Sequence, residues 1–228
     1  MPSAHKNLLK VDRSTKTLRE LTLEKMRGAI FNGHFQPGAR LVERQLCEQL
    51  DVSRSVVREV LRHLETEGLI ETIPHQGPIV ASMDADRAAQ IYEIRALLEG
   101  QAARLCAEKA SDEAIEHLAS LNDDTQEAFR KNDFQAVLAR TSIFYKAMFT
   151  AAGFNMAWDI VQSLNARINQ LRAMTISSTG RCTTASDEMA RIVKALRDRD
   201  PQAAQDASQA HVRRAAEIAS QRLTASGK

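Results

Sequence analysis

Arg54, Arg58 and Arg62 recur every four residues, with Ser53 and Ser55 beside the first of them. On a helix this spacing lines the three guanidinium groups along one edge. A guanidinium is a planar fork of N–H donors that matches phosphate oxygens or the O6 and N7 edge of guanine, and serine hydroxyls donate to phosphate. The chemistry on offer is recognition of an anionic, donor-accepting surface. It involves no making or breaking of bonds. Val56, Val57, Val60, Leu61 and Leu64 recur between them at helical spacing, so an apolar stripe accompanies the basic edge. Arg62 also reads as an ordinary surface charge pairing with Glu59 or Glu65, which leaves Arg54 and Arg58 as the stronger contact candidates.

Such a ridge needs a small domain to hold it. Leu18, Leu21, Leu23, Met26, Ile30 and Phe31 follow a helical period that ends at Gly33, and predict a first helix. Gln36-Pro37-Gly38-Ala39 signals a turn, and Leu46 and Leu50 mark a short second helix within residues 41–50. Asp51-Val52 interrupts the pattern, Ser53 can cap, and the arginine-bearing third helix stops at Gly68. Two short helices about a tight turn make a helix-turn-helix. Beyond them Leu69–Ile73 and Ile79–Ala81 are strand-prone runs flanking Pro74-His75-Gln76-Gly77-Pro78, a small hairpin with an exposed tip.

From Asp84 the texture changes to alanine-rich amphipathic helices, expected at about 84–109, 111–131, 133–152, 155–174, 184–199 and 201–222. Their breaks fall at Ala110-Ser111, Asn132-Asp133, Gly153, Ser177-Ser178-Thr179-Gly180 and Asp200-Pro201. No repeat of 20–50 residues is visible, so a closed antiparallel bundle is preferred to a solenoid. The expected class is mainly α: a flexible leader at 1–14, a winged helix-turn-helix domain at 15–81, an all-α helical-bundle domain at 84–222 and a flexible tail at 223–228.

The formal net charge is only +2, so nucleic-acid binding has to come from a local cluster. Cys47, Cys106 and Cys182 form no paired motif and read as reduced intracellular thiols. The N-terminus lacks a signal-peptide apolar run and nothing approaches membrane-spanning length, so no membrane association and a cytoplasmic location are expected.

Gln36-Pro37-Gly38 through Leu41, Val52-Ser53-Arg54, Arg58-Glu59, Leu61, Leu64-Glu65, Glu67-Gly68-Leu69-Ile70 and Gly77 together resemble the signature of the GntR family of transcription regulators. The resemblance implies that Arg44, Arg54 and Arg58 contact DNA from the second and third helices. It also implies that Ser55 touches a phosphate and that His75, Gln76 and Gly77 enter the minor groove from the wing tip. A glycine suits a backbone pressed against DNA, because it carries no Cβ. Two departures are Val56, where many members have proline, and Gln76, where an arginine often stands.

Ile91-Tyr92-Glu93-Ile94-Arg95-Ala96-Leu97-Leu98-Glu99, followed by Ala102-Ala103 and Ala107, is similar to the first helix of the FCD domain of the FadR subfamily. That resemblance spans residues 84–219 and implies a bundle that dimerises around a small-molecule pocket. Many FCD domains hold a divalent metal through an aspartate and three histidines. Here those positions fall on Thr141, Tyr145, Met189 and His211, and only the last can serve. Neutral oxygens and a thioether do not offset the charge of a borderline cation, so neither a metal nor any other cofactor is expected.

An anionic effector then needs another counter-charge. Arg95, Arg140, Arg167 and Arg172 are the candidates, with Arg95 first, since a guanidinium there could grip a carboxylate at two points. Arg95 reads equally well as a structural pair with Glu99 or Glu93. Thr141, Tyr145, Met189 and His211 would supply the rest of the lining, while His211 alone also reads as a hydrogen-bonded core or surface histidine. Asn155 is expected to cap a helix beginning at Met156, and Phe154 and Trp158 to pack.

These residues lead to a homodimeric, sequence-specific DNA-binding regulator, expected to repress, on an inverted-repeat operator, with a small organic acid as effector. The alternatives are an effector-independent structural DNA-binding regulator whose cavity is filled by Met and Phe, and a helical-bundle enzyme with a vestigial DNA-binding head. The enzyme has no nucleophile motif, HExxH or phosphate loop to support it.

Overall fold

The computed structural model describes residues 16–176 and 181–226. The expected leader at 1–14 and the break at 177–180 lie outside them. The chain divides into two compact units, one made of residues up to Thr66 with Ile70–Val80, the other of Glu67–Leu69 and residues from Ala81 onward.

In the first unit α1 (Leu18–Phe31) starts at a capping box: Thr17 Oγ1 accepts from Glu20 N, and the Glu20 carboxylate accepts from Thr17 N. α2 (Glu43–Leu50) ends on Asp51, whose φ of 52° turns the chain at once. α3 (Arg54–Thr66) follows three residues after α2 and buries Val57, Val60, Leu61 and Leu64. Against these pack Leu23, Met26 and Ile30 of α1 and Leu46 of α2, none more than 7% exposed. The strands β1 (Ile70–Ile73) and β2 (Gly77–Val80) pair antiparallel, with Ile70 opposite Val80 and Ile73 opposite Gly77. Arg40 adds a bridge to Ile79, and Leu41 N donates to Pro78 O at 2.9 Å, which ties the loop before α2 to the hairpin. This is a winged helix-turn-helix.

The second unit is helical among its described residues: α4 (Ala85–Lys109), α5 (Asp112–Arg130), α6 (Phe134–Ala151), α7 (Asn155–Ser163), α8 (Asn165–Ile176), α9 (Arg181–Arg197) and α10 (Pro201–Ser226). Short polar side chains start four of them. Asp84, Ser111, Asp133 and Asp200 accept from the backbone N–H of Arg87, Ala114, Ala136 and Ala203. α4 and α10 run antiparallel: Gly100 lies against Gln209 and Arg104 reaches Gln205. Ala102, Ala103 and Ala107 of α4 and Ala204, Ala215 and Ala219 of α10 are buried, and these small side chains let two long helices approach closely. A Cβ at position 100 would meet Gln209 Cγ at 2.8 Å and force the Gln209 side chain to shift. α5 and α9 are likewise antiparallel, with Glu116 bonded to Arg197 and Gln126 to the Ser186 carbonyl.

Three expectations are corrected. The single helix at 155–174 is two, broken at Leu164. The Ser163 hydroxyl takes the Ile160 carbonyl at 2.7 Å, and Leu164 N bonds back only three residues, to Val161 O; a side chain competing for the ladder tightens and ends the turn. Asn155 is the first residue of α7 and does not cap it. The cap position belongs to Phe154, which makes no side-chain cap bond and stacks on Phe149 at 6.2 Å. The tail expected from residue 223 is helix as far as Ser226. No helix among the described residues is long and apolar enough to cross a membrane.

Candidate DNA-recognition surface and effector pocket

Burial of one stripe of α3 dictates what its other edge does. With Val57, Val60, Leu61 and Leu64 inside, Arg54, Ser55, Arg58 and Arg62 are exposed, as is Ser53 just before the helix. Ser53 Oγ lies 3.4 Å from Val56 N, at the limit of a cap bond. Arg44 on α2 is exposed and sits 3.3 Å from Glu48, a pair too solvated to hold it firmly. Arg62 lines a groove with Glu43, Arg58, Glu65, Thr72 and Pro78, so the basic edge of α3, the start of α2 and both wing strands border one depression. Glu59, one of the partners suggested for Arg62, lies 3.4 Å from Arg19.

Arg58 Nε donates to both carboxylate oxygens of Glu43, at 3.0 and 2.9 Å. The pair is screened by solvent and adds little to stability. Its geometric effect is larger: it engages Nε and so restricts the rotamers open to Arg58. Sequence spacing could not show this, since Glu43 lies fifteen residues away on another helix. Glu43→Gln is therefore expected to loosen the Arg58 rotamer while removing a negative charge from the surface. The ratio of operator to non-specific binding, read by competition mobility shift, should fall by about 3- to 10-fold, the scale of one side chain's rotamer entropy. An unchanged ratio would reduce the bridge to surface decoration.

At the wing, Gln76 N donates to Ile73 O at 3.1 Å, closing a turn with Pro74 second and His75 third. His75 has φ +67° and Gly77 φ +83°. The third position of such a turn usually goes to glycine or asparagine, and an imidazole held there is a strained choice that projects it from the exposed tip. Gly77 has nothing within 4 Å of where a Cβ would stand, so its own positive φ is sufficient reason for glycine.

In the helical unit a cavity is lined by Arg95, Thr141, Arg172, Met189 and His211, five residues expected there, together with Thr175, Ala215 and the apolar group Phe129, Val137, Leu138, Ile176 and Ala185. Tyr145 lies one turn beyond Thr141, with the Arg172 guanidinium 5.1 Å above its ring. Arg140 and Arg167 are not in the lining, and Arg140 instead donates to the Asp124 carbonyl on α5.

Arg95 makes the structural pair with Glu99 and also borders the cavity. It is 1% exposed, its Nε donates to Glu99 Oε1 at 2.8 Å and its Nη2 lies 3.3 Å from Oε2. Burial works against its charge, but the Glu99 carboxylate outweighs that and raises its pKa above the ordinary arginine value. Burial likewise pushes Glu99 up, while the charges of Arg95 and then Arg172 win and hold it below the ordinary carboxylate range. Arg172 is pushed down to about 10, first by burial and then by Arg95, and stays cationic at neutral pH. His211 Nδ1 lies 2.8 Å from Glu188 Oε2, both buried. Sequence reading missed Glu188 and undervalued Glu99. The signal for Glu99 was its i+4 spacing from Arg95; Glu188 had none.

The metal-bearing pattern does not fit. No three His, Cys, Asp or Glu side chains among the described residues cluster closely enough for a cation. Two guanidinium groups already charge the cavity positively, and burial raises the Tyr145 pKa, so its hydroxyl keeps its proton.

Comparison with known proteins agrees with this architecture. Residues 18–80 match the model of bacterial regulatory proteins of the gntR family, and residues 90–214 match the FCD domain. An uncharacterized HTH-type transcriptional regulator of Bacillus subtilis, YdhC, is 28% identical over 183 residues, 80% of this chain and 82% of that one. A probable D-xylose utilization operon transcriptional repressor of Paenarthrobacter nicotinovorans is 30% identical over 186 residues, 80% of each. The solved structure of E. coli McbR/YncC superposes with a TM-score of 0.74 at 20% identity over 91% of this chain and 99% of that one, which speaks for the fold. The chain thus belongs to the gntR family of bacterial regulatory proteins, in the branch with a C-terminal FCD domain, and is a DNA-binding transcriptional regulator and not an enzyme.

Proposed function

We propose that the protein is a repressor that binds an inverted-repeat operator as a homodimer and responds to a small organic acid held in its FCD domain. The observation that carries the reading is the exposed Arg54 and Arg58 edge of α3, held outward by the buried stripe behind it. In this reading Arg54 and Arg58 reach base edges, while Ser53, Ser55 and Arg44 position the backbone and His75, Gln76 and Gly77 enter the minor groove. Repression is supported by the Paenarthrobacter relative, a probable D-xylose utilization operon transcriptional repressor. The organic acid is supported by the paired arginines at the cavity. A symmetric dimer presents two recognition helices and so calls for a two-fold site.

A second reading, regulation without an effector, is favoured by the size of the cavity, 40 Å³, room for about three waters at roughly 10–15 Å³ each.

Genomic fragments selected by the full-length protein should converge on a short inverted repeat, and affinity should fall steeply with salt as phosphate counterions are released. Recovery of fragments without a shared motif at any salt concentration would end the DNA-recognition assignment. A motif whose binding no carboxylate alters would favour the second reading.

A further inference from the structure

We infer that the FCD cavity takes a small monocarboxylate with a short apolar tail, and that guanidinium groups, Arg172 above all, hold it where a divalent metal would otherwise stand. The inference rests on the effector reading above and adds the class of acid and the means of holding it.

The cavity has two unlike ends. Arg95, Arg172 and Thr141 form one. The other is Phe129, Val137, Ile176 and Ala185, which belong to a buried apolar cluster separate from the main core of the bundle. At the polar end, the buried Arg95 Nη1 lacks a partner among the described residues. Arg172 is equally underused. Its ion-pair distance to Glu99 is 4.0 Å, and its Nη1 reaches Asn169 Oδ1 only at 3.5 Å. Buried donors without acceptors are costly and call for an occupant.

One carboxylate answers the need, because its two oxygens accept about four hydrogen bonds and fit a guanidinium fork. The charges also count one anion. Among the described residues, Arg95 and Arg172 face one buried carboxylate, Glu99, while Glu188 is engaged with His211. A second acid group on the ligand would be buried against Phe129, Val137 and Ile176, which are apolar. Because the cavity is only 40 Å³, the tail must push apart the wall that Ile176 of α8 and Ala185 of α9 provide, which gives binding a structural consequence.

The test is calorimetric titration of the full-length protein with butyrate and benzoate, and with citrate and tartrate as the polyanionic, hydroxylated contrast, each with and without excess EDTA. Butyrate or benzoate should bind equally well with the chelator present. Arg172→Met should weaken that binding about tenfold or more, as loss of a charge-assisted hydrogen bond does, with Arg172→Lys intermediate. Wild-type-like binding in Arg172→Met, tighter binding of citrate or tartrate, or binding that EDTA abolishes and added zinc restores would each overturn the inference while leaving an effector pocket in place. If none of the four acids binds or changes operator affinity, the effector reading itself fails. Should Arg172→Met not fold, the chelator arm, the acid series and Arg172→Lys still decide.

Discussion

Glu99→Ala should destabilise the helical unit by about 3–5 kcal/mol, the cost of breaking a buried ion pair from one side. Glu99 is fully buried and Arg95 1% exposed, so removing the carboxylate strands one guanidinium in the interior with a second, Arg172, close by. The double variant Arg95→Met/Glu99→Leu should recover most of the loss, because an apolar pair of similar volume is often as stable as a buried ion pair. Chemical denaturation of the three proteins measures both effects. A loss below about 1 kcal/mol in Glu99→Ala would mean that water reaches the pair, contrary to its burial.

The same residue sets a pH dependence. Burial pushes the Glu99 carboxyl up, but Arg95 and Arg172 outweigh it and the folded-state pKa lies below the ordinary 4.5. A depressed carboxylate contributes stability that is fully present above the unfolded value and drains away as pH falls through the folded one. Melting temperature should therefore drop less steeply below about pH 4.5 in Glu99→Gln than in the wild type. Parallel acid limbs would remove Glu99 from the account.

Arg58→Ala should weaken operator binding by about 1–3 kcal/mol, or about 5- to 150-fold, with thermal stability almost unchanged because the side chain is exposed. Arg54→Ala should behave alike. The salt dependence separates two chemistries. A base-reading arginine costs specificity and leaves the slope of log affinity against log salt in place, whereas a phosphate contact reduces that slope by about one. Mobility-shift titrations on operator and scrambled DNA at several salt concentrations measure this. Full operator affinity in both variants would remove α3 from the recognition role.

Local signals were the legible ones. The apolar stripe of α3, the Asp51 turn, the helix breaks at Ala110-Ser111 and Asn132-Asp133 and the exposed hairpin tip each depend on residues within a few positions of one another, where side-chain type acts directly on backbone geometry. The break at Leu164 was not legible, because Ser163 is a mild signal whose hydroxyl could as readily have faced water. Arg140 and Arg172 looked equivalent in the chain, and only the packing of α6 against α5 sends the first to the Asp124 carbonyl while the second reaches Tyr145.

From its residues alone this chain declares a basic recognition ridge, a wing and an alanine-rich bundle with a misplaced metal pattern, because periodicity, caps and charge spacing are short-range. Which arginine is pinned and which is free to meet a ligand depends on partners far away in the chain, Glu43 for Arg58 and Tyr145 for Arg172. The Glu188–His211 pair across 23 positions is of the same kind. Those pairings exist only because burial of the apolar faces brings distant helices together, and the strength of each charge is then set by how much water the packing leaves around it.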